Sequence, residues 1–194
     1  MPAAKRTPSA MVSSRSTKDD LTQTNPKLSQ YQSLTRSAAT VDRNHVGRLK
    51  VSGSDAQDLL NRLSTNNLDE VTPGHGMGTV LTTKKGRIVD LLFVTALKDI
   101  LLVLTSPGRQ RKVAEWIDFY TFGEDVEVRD ISDDTSMLGI AGPKAASVVR
   151  QVLDMDVDDM ALYDSLRSGD RVVIKTDFLG TPAFDILCEY STAE

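Results

Sequence analysis

Between Ile88 and Val94 the chain reads Ile-Val-Asp-Leu-Leu-Phe-Val, apolar on both alternating faces apart from Asp90. Successive side chains of a strand point to opposite sides of its sheet, so a run that is apolar at both parities needs cover on both sides. This predicts a central strand with packing layers above and below it. The turn Lys84-Lys85-Gly86 precedes the strand, which is expected to run from 88 to 96, and a shorter strand over 79–82 precedes that turn. A hairpin is the simplest geometry, and Pro73-Gly74 with Gly76 and Gly78 breaks the chain upstream of it.

The other segments supply the layers. Leu28, Tyr31, Leu34 and Ala38 recur near helical spacing, and residues 45–51 alternate like a strand. Ser54 is a credible N-cap for a helix with Ala56, Leu59, Leu60 and Leu63 on one face, ended by Asn66-Asn67. After a strand over 100–104, Ser106-Pro107 offers an N-cap and a first-turn proline to a helix carrying Val113, Trp116, Ile117 and Tyr120 inward. Strands over 126–128 and 137–141 follow, and Gly142-Pro143 opens a helix with Ala145, Val148, Val149 and Val152 inward. A helical or loop segment spans 160–166, and the strands 171–176 and 184–188 flank a turn at Gly180-Thr181-Pro182. The expected fold class is α+β, a mostly antiparallel sheet with packed helices in which strand pairs closing on a helix suggest ferredoxin-like halves.

The length of 194 residues with 40% hydrophobic content supports one sizeable core, with one domain as the default and two small ones as the alternative. A net charge of −4 is the wrong sign for a protein that holds nucleic acid across its surface. Cys188 is the only cysteine, and His45 and His75 with one thiol make no zinc-like spacing, so no metal is expected and a reducing compartment fits. No stretch approaches the roughly 20 apolar residues of a membrane helix. Residues 1–28 hold almost no large apolar side chain and read as a disordered tail before a domain at 29–194. Up to Lys18 that tail carries Lys5, Arg6 and Arg15 and no acid. A cytoplasmic protein with a solvated tail is the first reading, and mitochondrial or plastid import through that tail is the other.

Several stretches carry a resemblance in their order and spacing. They are Val41-Asp42-Arg43-Asn44-His45-Val46-Gly47-Arg48, Val51-Ser52-Gly53-Ser54-Asp55-Ala56, Leu63-Ser64-Thr65-Asn66-Asn67, Lys85-Gly86-Arg87-Ile88-Val89-Asp90 and Gly139-Ile140-Ala141-Gly142-Pro143-Lys144-Ala145-Ala146. Together they resemble the N-terminal part of the folate-binding domain of the glycine cleavage T-protein (aminomethyltransferase) and YgfZ-type family, over about residues 31–188. The resemblance implies tetrahydrofolate as the cofactor and, for a transferase, movement of a one-carbon unit from an aminomethyl group on a lipoyl carrier to that folate.

It also implies specific departures. Such a transfer needs a carboxylate beside the reacting folate nitrogens to handle a proton and stabilise positive charge. In the transferases this is the second Asp of an Asp-Asp pair, and here the pair reads Asp90-Leu91. Leu91 cannot transfer a proton, and Asp90 should project to the opposite face. Asp90 is then either a structural carboxylate bonded to a cation or backbone N–H groups or, through a shifted register, a folate contact. The family's Gly-Tyr-Thr-Gly-Glu turn, whose Glu accepts the pterin donors, is matched by Asp177-Phe178-Leu179-Gly180-Thr181, so that Asp177 or Asp185 is left to supply the acceptor and Phe178 keeps only an aromatic face. Gly78 stands where transferases place a pocket Tyr.

Lys84, Lys85 and Arg87 form a basic turn suited to the carboxylates of a folate glutamate tail, or simply a solvated hairpin tip. His45 matches the family's Ser-His-Met-Gly segment, at the start of a strand bordering the folate site, where a structural role competes with an acid–base one. The acidic run Asp154, Asp156, Asp158 and Asp159 lacks a calcium-loop pattern and reads as solvated. The lost Asp leans the chain toward the YgfZ-type branch, a folate-binding module of one-carbon metabolism or iron–sulfur protein maintenance, with a lipoyl carrier or an iron–sulfur protein as candidate partner. Alternatives are an active aminomethyltransferase or folate-dependent demethylase, and a truncated scaffold whose last strand, 184–188, stays unpaired.

Overall fold

The computed structural model describes residues 26–189. The expected tail therefore lies outside the described residues up to residue 25, while residues 26–28 form the first turn of α1 (Pro26–Arg36). Two five-stranded antiparallel sheets account for the rest. The first contains β2 (Gly47–Ser52), β3 (Gly76–Thr82), β4 (Ile88–Leu97), β5 (Ile100–Thr105) and β6 (Glu127–Asp130), in the order β3-β4-β5-β2-β6. The second contains β1 (Ala39–Asp42), β7 (Thr135–Ala141), β8 (Ser165–Ser168), β9 (Arg171–Thr176) and β10 (Ala183–Glu189), in the order β8-β9-β10-β7-β1. Helices α2 (Ala56–Leu63) and α3 (Gln110–Phe119) belong to the first sheet and α4 (Ala145–Leu153) to the second.

The expected halves are present, and they match one another. Within the first sheet β6-β2-β5-β4 is the ferredoxin-like order with β3 added beside β4, and the second sheet repeats that order with β1 in the place of β6. Lys50 faces Leu102 and Gly139 faces Asp185 at corresponding positions of the two central pairs. Each half passes from strand to helix through a glycine with positive φ, Gly53 at 111° and Gly142 at 127°, with the helix beginning three residues later. At Gly142 an added Cβ would lie 2.6 Å from the Ser37 carbonyl oxygen, so the close approach as well as the φ requires glycine. The carboxylates of Asp42 and Asp130 each accept the N–H two residues on, at 2.8 and 2.9 Å. No exact sequence repeat betrays this pseudo-twofold relation, because strand order and register tolerate many apolar choices.

Three apolar clusters follow from the pleat. Leu92, Val94 and Ala96 of β4 point to the α2 and α3 side with Leu49, Val51, Val113 and Ile117. Phe93 and Leu97 of the same strand point between the sheets, toward Met137, Val172, Ile174 and Leu187. Ile140, Val149, Val173 and Phe184 form the core beneath α4. Burying a residue of this kind contributes about 1.5–3 kcal/mol.

Several expectations change. The strand at 88–94 is covered on both sides only from Phe93 onward, since Ile88 and Leu91 are 72% and 47% exposed. Residue 45 lies in a turn before β2, not in the strand. Ser54 does not cap α2: its N–H and hydroxyl both donate to Asp125, and Asp55 holds the cap position. Ser106 closes a turn to Arg109, so α3 starts at Gln110. Val152 is 68% exposed and Leu153 packs on the core instead. The last strand is not an unpaired edge, because β10 lies between β7 and β9 and is bonded to both.

Candidate functional site

The two sheets meet along a seam, and one end of it gathers several of the residues singled out from the sequence. On the first sheet the seam-facing residues there are Gly78 of β3 and Leu91 and Phe93 of β4, with Gly78 directly opposite Phe93. From the loop before β8, Tyr163 lays its ring 4.9 Å from that of Phe93. A Cβ at Gly78 would come within 3.3 Å of the Tyr163 ring, so an aromatic ring from the other half fills the space that a side chain at 78 would take. Burial pushes the Tyr163 hydroxyl above its usual pKa, and the nearby charge of Asp177 adds to the shift.

The second sheet contributes an ionic cluster. Asp185 in the middle of β10 is buried, and its two carboxylate oxygens accept from Arg43 Nε at 3.0 Å and Nη2 at 3.2 Å. Arg43 comes from the turn between β1 and β2, and its guanidinium lies 4.0 Å from the centre of the Phe178 ring. Phe178 in turn leans over Gly139, where a Cβ would meet the ring at 2.9 Å. Burial raises the Asp185 pKa, while the bonds to Arg43 and the charge of His45 oppose the rise. Buried beside the cluster on β9, Thr176 leaves its hydroxyl without a hydrogen-bond partner. The Phe93–Tyr163 ring contact thus ties the two sheets together at this mouth, and the charge of Asp177, felt by Tyr163, sets the Phe178, Arg43 and Asp185 cluster beside it.

Each residue singled out from sequence has a definite place. Phe178 and Asp177 lie at the mouth, and His45 is exposed beside it. Asp90 does not join them: its carboxylate accepts the Ser106 N–H at 3.0 Å, on the opposite face of β4 from Leu91. Lys84, Lys85 and Arg87 are exposed at the β3–β4 tip, and their side chains make no ion pair among the described residues. His75 is exposed and meets Asp164 at 2.9 Å. Asp158 and Asp156 pair with Arg150 at the end of α4. Arg43 and Tyr163 carried no sequence signal of their own; an arginine 142 positions from its carboxylate is found only when the strands pair.

The sequence model of the GCVT N-terminal domain matches residues 23–194. The chain belongs to the GCVT N-terminal domain family. Within it, the aminomethyltransferase of Thermotoga neapolitana is 27% identical over 169 residues and that of Bacillus pumilus 27% identical over 171 residues. Each alignment covers 84% of this chain and 47% of the relative, so the GCVT N-terminal domain chain spans about half the length of the curated relatives it matches. Among solved structures, the glycine cleavage system aminomethyltransferase T from Bartonella henselae superimposes with a TM-score of 0.76 at 18% identity, over 86% of this chain and 46% of that one. Heterotetrameric sarcosine oxidase from Corynebacterium sp. U-96 superimposes with a TM-score of 0.57 at 18% identity, over 80% of this chain and 77% of that one. The first of these establishes the fold as that of the T-protein, in part.

Proposed function

We propose that the mouth between the sheets is a tetrahydrofolate site and that this GCVT N-terminal domain binds folate without carrying out aminomethyl transfer. The observation that carries the reading is the buried Asp185 carboxylate held by Arg43 beneath Phe178. A pterin offers an N–H and an amino group side by side, and a carboxylate fixed by one guanidinium still has free lone pairs for both. The unpartnered Thr176 hydroxyl supplies a further polar group on the same face, and Phe178 and Tyr163 supply apolar walls. The residues present thus fit the group, and bound tetrahydrofolate would supply the nitrogens that accept or carry a one-carbon unit.

The chain's own residues do not supply the acid group for transfer. By the resemblance Leu91 stands for the transferase Asp, and it is exposed at the rim, while the Asp90 carboxylate is committed to Ser106 on the other face. A folate-binding role of the YgfZ type, in one-carbon metabolism or iron–sulfur protein maintenance, is therefore the preferred reading, with a lipoyl carrier or an iron–sulfur protein as partner. The competing reading, a working aminomethyltransferase, is favoured by the names of the relatives and requires Asp185 to act as the acid group.

Calorimetric titration with 5-formyltetrahydrofolate tests this. Saturable binding is expected, weakened about tenfold or more by Asp185→Asn through loss of a charge-assisted bond. Lys84, Lys85 and Arg87 changed together to Ala should weaken binding further only for polyglutamylated folate. Folded protein that takes up no folate would overturn the assignment, and ammonia release from an aminomethyl-lipoyl donor would favour the transferase.

A further inference from the structure

The pseudo-twofold relation carries the Asp185 mouth onto a second cleft at the other end of the seam. In that cleft Leu102 stands in the place of Asp185, Lys50 in that of Gly139 and Ile131 in that of Arg43. The cleft has a volume of about 600 Å³, within the range of small-molecule sites. Its floor is the edge of the intersheet core, where Leu97, Leu102, Val172 and Leu187 are all buried. None of the described lining residues is aromatic, so the described walls suit an aliphatic body better than a stacked ring.

Charge decides what such a body should carry. Lys50 on β2 lies directly opposite Arg129 on β6, and like charges facing each other across a strand pair repel. Arg129 is satisfied by Asp134 at 2.6 Å. The half-buried Lys50 side chain makes no hydrogen bond or ion pair among the described residues, which leaves an ammonium without a counter-ion beside an apolar floor. Of the other charges that line the cleft, Lys98 pairs with Asp99 and Arg129 with Asp134, while Arg167, Asp133, Asp170 and Glu189 complete the lining. These acids disfavour a ligand with extended negative charge, so a single carboxylate on Lys50 is the complement.

We propose that this second cleft binds an aliphatic monocarboxylate, with its carboxylate on Lys50 and its alkyl chain along Leu97, Leu102, Val172 and Leu187. The site is independent of the folate mouth. Octanoate, octan-1-ol and octylamine are suitable probes for NMR titration of the full chain. Octanoate should bind saturably and shift amides of residues 97–102 and 129–131. Lys50→Met, which keeps the apolar stem, should weaken it about tenfold or more, and Lys50→Arg should retain it. Asp185→Asn should leave octanoate binding intact while impairing folate binding, which separates failure of one site from failure of the other. Equal affinity for the alcohol, tighter binding of the amine through the acidic rim, or unchanged octanoate affinity in a folded Lys50→Met protein would each overturn the proposal.

Discussion

A single carboxylate shows how far a residue's role depends on its neighbours. Asp90 and Asp185 are both buried acids on strands, yet one accepts a backbone N–H ahead of α3 and the other holds a guanidinium at the mouth of the seam. Asp185→Ala should leave Arg43, only 16% exposed, without its partner. A loss of about 3 kcal/mol is expected from chemical denaturation, at the low end for a broken buried pair because Arg43 keeps some contact with water. Glu124 gives a pH-dependent counterpart at the surface. The bond from Arg62, then the backbone N–H of Phe122, lowers its pKa to about 2 from 4.5. Because the folded value is depressed, this stabilisation is full above about pH 4.5 and disappears as the pH falls through about 2. The melting temperatures of wild type and Glu124→Gln should therefore differ at pH 6 and converge near pH 2.

Among the elements, strand identity was more legible than strand ends. Strands over 171–176 and 100–104 were readable because their apolar residues run between clear turn residues, and β9 and β5 lie there. The expected N-caps at Ser54 and Ser106 do not form because each serine has a stronger local use, one bonding Asp125 and the other closing a turn. The strand-to-helix glycines are the sharpest test at this scale. Gly142→Ala combines a φ of 127° with a Cβ forced against Ser37 and Leu34. It should cost more than about 1 kcal/mol in urea titration, beyond the penalty of either effect alone. On β4 the two faces predict opposite outcomes: Leu92→Ala, fully buried, should cost about 2–5 kcal/mol, whereas Leu91→Asp, at the exposed rim, should leave the melting temperature nearly unchanged.

At the scale of the molecule the two halves are joined by a seam that is apolar apart from a few specific contacts. Thr95 Oγ1 and Ser165 Oγ meet at 2.7 Å, buried between the sheets. Thr95→Val alone should cost about 1–3 kcal/mol by stranding the serine hydroxyl. Adding Ser165→Ala should recover part of that loss, because removing both polar partners is cheaper than removing one. A double-mutant cycle by equilibrium denaturation measures the coupling directly. A fully additive result would show that this bond does not help set the sheets against each other.

What the sequence determined by itself was the alternation of the elements, the antiparallel class and the ferredoxin-like halves, because periodicity and local turn chemistry reside in neighbouring residues; the family was legible only through the resemblance of its stretches in order and spacing. It also placed Asp90 and Leu91 on opposite faces, which follows from the pleat alone. The tertiary structure decided what no local pattern encodes: that β10 is central, that Arg43 reaches Asp185, that Tyr163 fills the space beside Gly78, and that Lys50 has no ion pair among the described residues. Each of these joins residues that the chain separates widely or depends on which faces the two sheets turn toward one another. Those choices are settled by packing, where distance along the chain carries no information.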